Sequence, residues 1–279
     1  MKNTILITGT SSGIGKETAK YFAEKGWNVA ATMRRPEEEK ELTNFKNIKV
    51  YKLDVTDNSS IKDAIQSAIN DFGSIDVVVN NAGCAAYGVF EKATDTQLRE
   101  LFDINLFGVF NVIREILPHF RSKGKGRIIN ITSMSGWITF PLFSAYHATK
   151  WSLEGFTESL HFELKPLGIK VVNVVPGAFD TNIYHKIVQF KNENIKGYDE
   201  YEKACMENLQ KSFVNLPGPL LAAKVIWKAA NSNSNKMRYI AGNDAKMFIT
   251  LRKILPLNWF FGIVRSSIEK GFENKKSKE

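Results

Sequence analysis

Short apolar runs alternate with amphipathic stretches along most of this chain. The β-branched run Thr4–Thr8 (TILIT) predicts a buried strand, and Ala19, Phe22 and Ala23 mark the inner side of a helix after it. A second strand is expected at 27–32, a poorly marked helix within 36–45, and a third strand at 48–53. Asp57 is placed to cap a helix running to Phe72, whose inner face carries Ile61, Ala64, Ile65, Ala68 and Ile69. The nearly continuous apolar run 75–80 suits the middle of a parallel sheet. A long helix over 94–120 follows from the stripe Leu98, Leu101, Phe102, Asn105, Val109, Val112, Ile113 and Ile116. Strands at 128–132, 169–175 and 237–241 and a helix at 219–230 complete the pattern. Strands alternating with helices predict an α/β fold, a doubly wound parallel sheet with helices on both faces.

Composition narrows the class. A chain of 279 residues is long enough to bury one large core. Its two cysteines, Cys84 and Cys205, make no disulfide framework, and Cys84 reads as a buried small residue rather than a redox centre. The start lacks the length of a leader peptide, and no uninterrupted apolar stretch is long enough to span a bilayer, so a soluble, cytoplasmic protein is expected. The net charge of +9 brings no dedicated nucleic-acid module with it. The basic segment 121–127 could dock an acidic carrier protein, but a solvated turn is the favoured reading. None of the four histidines has metal-ligand spacing, so no metal is expected.

Two constellations carry chemistry. Gly9-Thr-Ser-Ser-Gly13-Ile-Gly15 lies between strand and helix, where glycines let the backbone approach a pyrophosphate at a helix N-terminus. Strand two is followed by Arg34 and Arg35, with no carboxylate until Glu37; an arginine there suits a ribose 2′-phosphate. Further on, Ser133 ends an apolar run, and Tyr146 and Lys150 stand four apart on one helix face. A nearby ammonium favours the phenolate, so such a pair can exchange a proton with an alcohol or alkoxide. Asn105 is the polar member of a buried stripe, and its amide must find partners, whether bracing a kink or holding a water.

Taken together, Ser133, Tyr146 and Lys150, TGTSSGIG at 8–15, NNAG at 80–83 and Pro176-Gly177 resemble the classical short-chain dehydrogenase/reductase superfamily across 3–180. The resemblance implies a Rossmann fold and a catalytic tetrad. In it Tyr146 is acid and base, Lys150 lowers the tyrosine pKa and holds the ribose, Ser133 positions the substrate oxygen, and Asn105 supports a water relay. It implies a cofactor site made of Gly9, Ser11, Ser12, Gly13, Ile14, Gly15, Arg34, Arg35, Asp54, Val55, Asn81, Ala82, Gly83, Tyr146, Lys150, Pro176, Gly177 and Thr181. NADP(H) is expected ahead of NAD(H), because Arg34 falls where NADP-preferring members carry arginine.

The expected activity interconverts an alcohol with a ketone or aldehyde on a small apolar substrate, as in the hydroxysteroid and retinol dehydrogenase branch. A ketoacyl-carrier-protein reductase and a non-catalytic NADP-binding regulator are the alternatives. Residues 1–245 are read as the main domain, with a substrate lobe at 179–216, and 246–279 as an apolar and basic extension ending in a disordered tail from Asn274. A homodimer or homotetramer through the Tyr146 helix is expected, since Ser152, Gly155 and Ser159 would let a partner approach. The segment 247–265 is expected to bury Trp259, Phe260 and Phe261 over the lobe, in preference to an oligomer contact or a place on a membrane surface.

Overall fold

The computed structural model describes residues 2–181, 187–212, 214–270 and 272; the lobe residues Ile183, Tyr184 and Phe213 and the tail from Asn274 lie outside these. In chain order the elements are β1 (Thr4–Thr8), α1 (Gly13–Glu24), β2 (Asn28–Met33), β3 (Ile48–Lys52), α2 (Asn58–Phe72) and β4 (Val77–Asn80). Next come β5 (Ala86–Tyr87), α3 (Asp95–Phe102), α4 (Gly108–Lys123), β6 (Gly126–Ile131), α5 (Ser144–Leu164) and β7 (Ile169–Pro176). The last are β8 (Val188–Gln189), α6 (Asp199–Ser212), α7 (Leu220–Asn231), β9 (Arg238–Ala241), α8 (Asn243–Ile254) and α9 (Leu257–Ile268).

Seven strands form one sheet in the order β3-β2-β1-β4-β6-β7-β9, every neighbour parallel, and β5 pairs with β8 apart from it. The doubly wound expectation holds. Chain direction across the sheet reverses between β1 and β4, and the crevice at their carboxyl ends is where such folds bind ligands. One face is packed by α1 and α7 through Ala19, Phe22, Ala222 and Ile226. The other is packed by α2, α4 and α5 through Ile61, Ile65, Val112, Ile116, Leu153 and Leu160. Asp57 caps α2 as expected, its carboxylate accepting from the Ser59 N–H at 2.9 Å.

Two elements differ from their sequence patterns. Instead of a helix, 36–45 forms two 3₁₀ turns, Pro36–Glu38 and Leu42–Asn44. The buried Glu39 carboxylate accepts from the N–H groups of Glu41 (2.8 Å) and Leu42 (2.9 Å) and pairs with Lys16, taking donors a helix would have used. The long helix over 94–120 is three pieces: α3, a π-turn at Asp103–Phe107 that contains Asn105, and α4. A Cβ on Gly108 would stand 2.7 Å from a Val55 methyl, so the glycine lets α4 close onto the loop after β3.

Beneath the crevice runs a row of asparagines: Asn80 pairs in register with Asn130, and Asn130 with Asn173. Asn80 donates to Asn130 (2.8 Å), which donates to the Thr157 hydroxyl on α5 (2.9 Å). Neither side-chain atom of Asn173 has a hydrogen-bond partner among the described residues.

Beyond the carboxyl ends of the strands, α6 and α9 share an apolar cluster with the chain after β6 through Ile138, Leu142, Cys205, Leu209, Phe260, Val264 and Ile268. The expectation for 247–265 therefore holds for Phe260 and fails for two of its neighbours. Trp259 is 69% exposed and Phe261 44%, because a helix lying on a surface buries only one stripe.

The row makes a stability prediction. Asn130→Ala leaves a buried amide and a buried hydroxyl without their partner and should cost about 1–3 kcal/mol. Asn173→Val, which removes an amide with nothing to lose, should change stability by less than about 1 kcal/mol. Urea unfolding of both variants checks this; equal losses would count against it.

Candidate active site

The turn after β1 and the loop after β4 are clamped to each other. The Thr8 hydroxyl accepts from the N–H groups of Asn81 and Ala82, both at 3.0 Å. In return the Asn81 amide donates to the carbonyls of Thr8 (2.9 Å) and Gly9 (3.0 Å). Gly9 has φ 72°, and a Cβ there would stand 2.8 Å from the Ala82 Cα; a Cβ on Gly15 would collide with the Asn81 amide. Both glycines are dictated by this close approach. The N-terminus of α1 opens into the space between the loops. Ser12 makes no side-chain cap and the first turn holds no acidic residue, so its N–H groups and dipole are available to an anion. Thr181 closes in from the other side, its Cβ 3.3 Å from where a Cβ of Gly13 would be.

The rim beyond β2 separates the two arginines. Arg35 pairs with Glu38 at 2.7 Å, whereas Arg34 is exposed and has no ion-pair partner among the described residues. Nearby, the Asp54 carboxylate accepts from the Thr56 N–H (3.0 Å) and hydroxyl (2.8 Å), and the Val55 carbonyl accepts from Asn111 at 3.3 Å. These bonds stiffen the loop after β3. The tight glycine turns and open α1 N–H groups lie at the carboxyl ends of β1 and β4, and Arg34, without an ion-pair partner among the described residues, follows β2; this donor set suits the phosphates of a dinucleotide.

Across the crevice, β6 delivers Ser133, whose hydroxyl oxygen accepts from the Ser135 N–H at 3.0 Å. Lys150 is buried, donates to the Ile131 carbonyl at 3.2 Å, and holds its Nζ 5.9 Å from the Tyr146 ring centre. Asn105 is tied to Cys84 in both directions: its Nδ2 donates to the Cys84 carbonyl and its Oδ1 accepts from the Cys84 N–H, each at 2.9 Å. Its Nδ2 also reaches the Thr149 hydroxyl at 3.3 Å. A Cβ on Gly83 would lie 3.1 Å from Asn105 Oδ1 and 3.9 Å from Lys150 Nζ, so these three sites are immediate neighbours.

Two positioning residues were not singled out from sequence. His147 accepts from the Phe140 N–H at its Nε2 (2.9 Å), so the proton sits on Nδ1, which faces the Ser135 carbonyl at 2.9 Å. It staples the loop after Ser133 to α5, and burial holds its pKa below the usual range. Asp244 accepts from the Ala178 N–H at 2.7 Å, with Gly177 and Gly242 packed on its carboxylate. It fastens the Pro176-Gly177 turn at the end of β7. A histidine beside a tyrosine carries a weak sequence signal; an aspartate in the first turn of α8 carries none, because its partner is distant in the chain.

Burial dominates the electrostatics of the site, lowering the Lys150 pKa to about 8 against smaller opposing effects of Cys84 and Glu154. The ammonium therefore persists at neutral pH, but at a cost. Its folded pKa lies below the ordinary 10.5, so the folded state is penalised below pH 8 and recovers as pH rises through 8 towards 10.5. Without cofactor, Lys150→Met should be more stable than the parent at neutral pH by about 1–3 kcal/mol. That gain should vanish in strong alkali, and activity should be lost. Urea unfolding across pH measures it; a destabilised Lys150→Met protein at neutral pH would contradict the argument.

Known proteins share this fold. The family model described as short chain dehydrogenase matches residues 3–192. A 3-ketodihydrosphingosine reductase of Bacteroides thetaiotaomicron is 40% identical over 177 residues, 63% of this chain and 64% of that protein. A short-chain dehydrogenase from Streptomyces avermitilis superposes with TM-score 0.79 at 32% identity, covering 99% of this chain and 100% of the other. ElxO, solved with NADP bound, superposes with TM-score 0.72 at 29% identity over 86% of this chain and 96% of its own. This chain belongs to the short-chain dehydrogenase family and is an NAD(P)-dependent oxidoreductase acting on CH–OH groups.

Proposed function

We propose that this enzyme uses NADP(H) to interconvert an alcohol with a ketone or aldehyde on an apolar, lipid-, steroid- or retinoid-like substrate. The observation that carries the chemistry is the buried Lys150 ammonium beside the Tyr146 ring, at the crevice where the β1 and β4 loops meet. When bound, the nicotinamide supplies or accepts the hydride. Tyr146 gives the proton to the nascent alkoxide, or takes it from the alcohol, and the Lys150 charge makes the phenolate accessible near neutral pH. Ser133 holds the substrate oxygen through its hydroxyl. Asn105 fixes the loop after β4 through Cys84 and stands beside Lys150, where it supports a water that returns the proton to solvent.

Arg34, exposed and without a carboxylate partner among the described residues, supports NADP over NAD, as does the NADP-bound relative ElxO. Met134, Trp137, Phe140 and Phe143 after Ser133, backed by Tyr201 and Met206 of α6, supply an apolar wall. An apolar substrate is consistent with a relative named for 3-ketodihydrosphingosine reduction. The acyl-carrier reading is less supported, because two of the four basic residues of 121–127 are engaged within the chain: Lys123 on Asp76 (2.9 Å) and the Ile75 carbonyl (2.7 Å), and Arg127 on the carbonyls of Ala229 and Ser232. Exposed Phe107, Trp151 and Phe162, with the open stripe Ser152, Gly155 and Ser159, support a homo-oligomer across α5. Two free thiols are at home in the cytoplasm.

Tyr146→Phe should abolish turnover while NADPH still binds nearly as before, because only the ionisable oxygen is removed; a fully active Tyr146→Phe protein would rule the mechanism out. Arg34→Gln should weaken NADPH binding by about 1.5–3 kcal/mol and barely change NADH, the range for hydrogen bonds to charged groups. Titration with each cofactor separately decides this, and equal losses would show that Arg34 does not read the phosphate.

A further inference from the structure

The α8–α9 hairpin turns apolar side chains outward on the substrate side of the molecule. On α8 the outward residues are Asn243, Lys246, Met247, Thr250, Lys253 and Ile254; Met247 and Ile254 are seven apart, and so are Lys246 and Lys253 and also Asn243 and Thr250, so all share one face. On α9 only Phe260, Val264 and Ile268 are buried, leaving Leu257, Trp259, Phe261 and Ile263 exposed. Ile254 and Trp259, near the helix junction, are 68% and 69% exposed. Between 246 and 270 the charged residues are Lys246, Arg252, Lys253, Arg265 and Lys270 against the single carboxylate of Glu269. That carboxylate is engaged by Arg265 and by the Tyr201 hydroxyl, each at 2.9 Å. Lys246 has no ion-pair partner among the described residues.

We propose that this hairpin docks the enzyme on an anionic bilayer surface, with Trp259, Ile263 and Ile254 entering the headgroup boundary and the basic residues meeting lipid phosphates. Three observations select this occupant. Lysines interleaved with apolar residues disfavour the core of a protein–protein contact, where lysine is depleted, but suit a membrane interface, where its stem lies along apolar surface and its ammonium reaches the phosphates. Each helix of the hairpin has 12 residues, and no helix among the described residues is long and apolar enough to cross a membrane, so the element lies on the surface. The buried stripe of α9 belongs to the cluster that holds Ile138 and Leu142 beyond Ser133, so docking sets the substrate wall beside the bilayer. A second copy of the chain has a different apolar face available, on α5 around Trp151 and Phe162.

The test uses the full chain with NADPH and vesicles of phosphatidylcholine, alone or containing phosphatidylglycerol. The protein should sediment with the anionic vesicles, stay in solution with the neutral ones, and be released by high salt. Trp259→Ser combined with Ile263→Ser, and separately Lys246→Glu, should each weaken partitioning by about tenfold or more. The circular dichroism and turnover of a water-soluble carbonyl compound should stay as in the parent. Binding is read without turnover, so its result is independent of the proposed reaction. The proposal is overturned if the parent protein ignores anionic vesicles, or if the variants bind them equally well. It is also overturned if, without lipid, the Trp259→Ser/Ile263→Ser protein sediments as a smaller assembly, which would make the face a contact between copies.

Discussion

The candidate site depends on keeping one ammonium dry. Lys150 is buried against the end of β6, where it donates to the Ile131 carbonyl at 3.2 Å. An unpaired charge in such a place would normally surrender its proton, and the fall of its pKa to about 8 measures that pressure. The surroundings are arranged to keep it in position. Gly83 leaves space for the Asn105 Oδ1, Asn105 locks the adjacent loop through Cys84, and Gly136 lets the next turn close on the Lys150 carbonyl.

The sheet supplies the rigidity this requires. Parallel strands that end together set the β1, β4, β6 and β7 loops side by side, and each loop is then pinned by a specific contact. Thr8 and Asn81 join the first pair, His147 ties the third to α5, and Asp244 ties the fourth to the start of α8. One layer lower, Asn80 and Asn130 bind the central strands to Thr157 on α5, the helix that carries Tyr146 and Lys150. That helix is thus referenced to the sheet by hydrogen bonds as well as by apolar packing, which alone would tolerate small slides.

The substrate side is built on different terms. Its cluster draws on α6, α9 and the chain after Ser133, elements that contribute no strand to the main sheet. Apolar packing with few directional bonds leaves such a region free to differ in shape among enzymes that share the same chemistry. The cation–π contacts of Arg238 and Lys253 with Trp137, at 4.5 and 4.8 Å, link this wall to β9 and α8.

Short-range periodicity was enough to read the seven main strands, most of the helices and the glycine turn, since these depend on spacing within a single element. The same holds for Tyr146 and Lys150, which one helix turn brings together. Periodicity misread 36–45, where the Glu39 carboxylate takes donors a helix would have used, and it smoothed over the π-turn at Asn105, because a stripe of apolar residues survives one widened turn. It also assigned Trp259 and Phe261 to the interior from hydrophobicity alone. Which stripe of α9 is covered depends on where α6 and the loop after β6 lie. Asp244 under Gly177 and the difference between Arg34 and Arg35 likewise arise only after folding: the first joins residues 67 positions apart, and the second depends on which guanidinium Glu38 reaches. Contacts within a helix or turn follow from local geometry, whereas contacts between elements exist only when the packed core has chosen the neighbours.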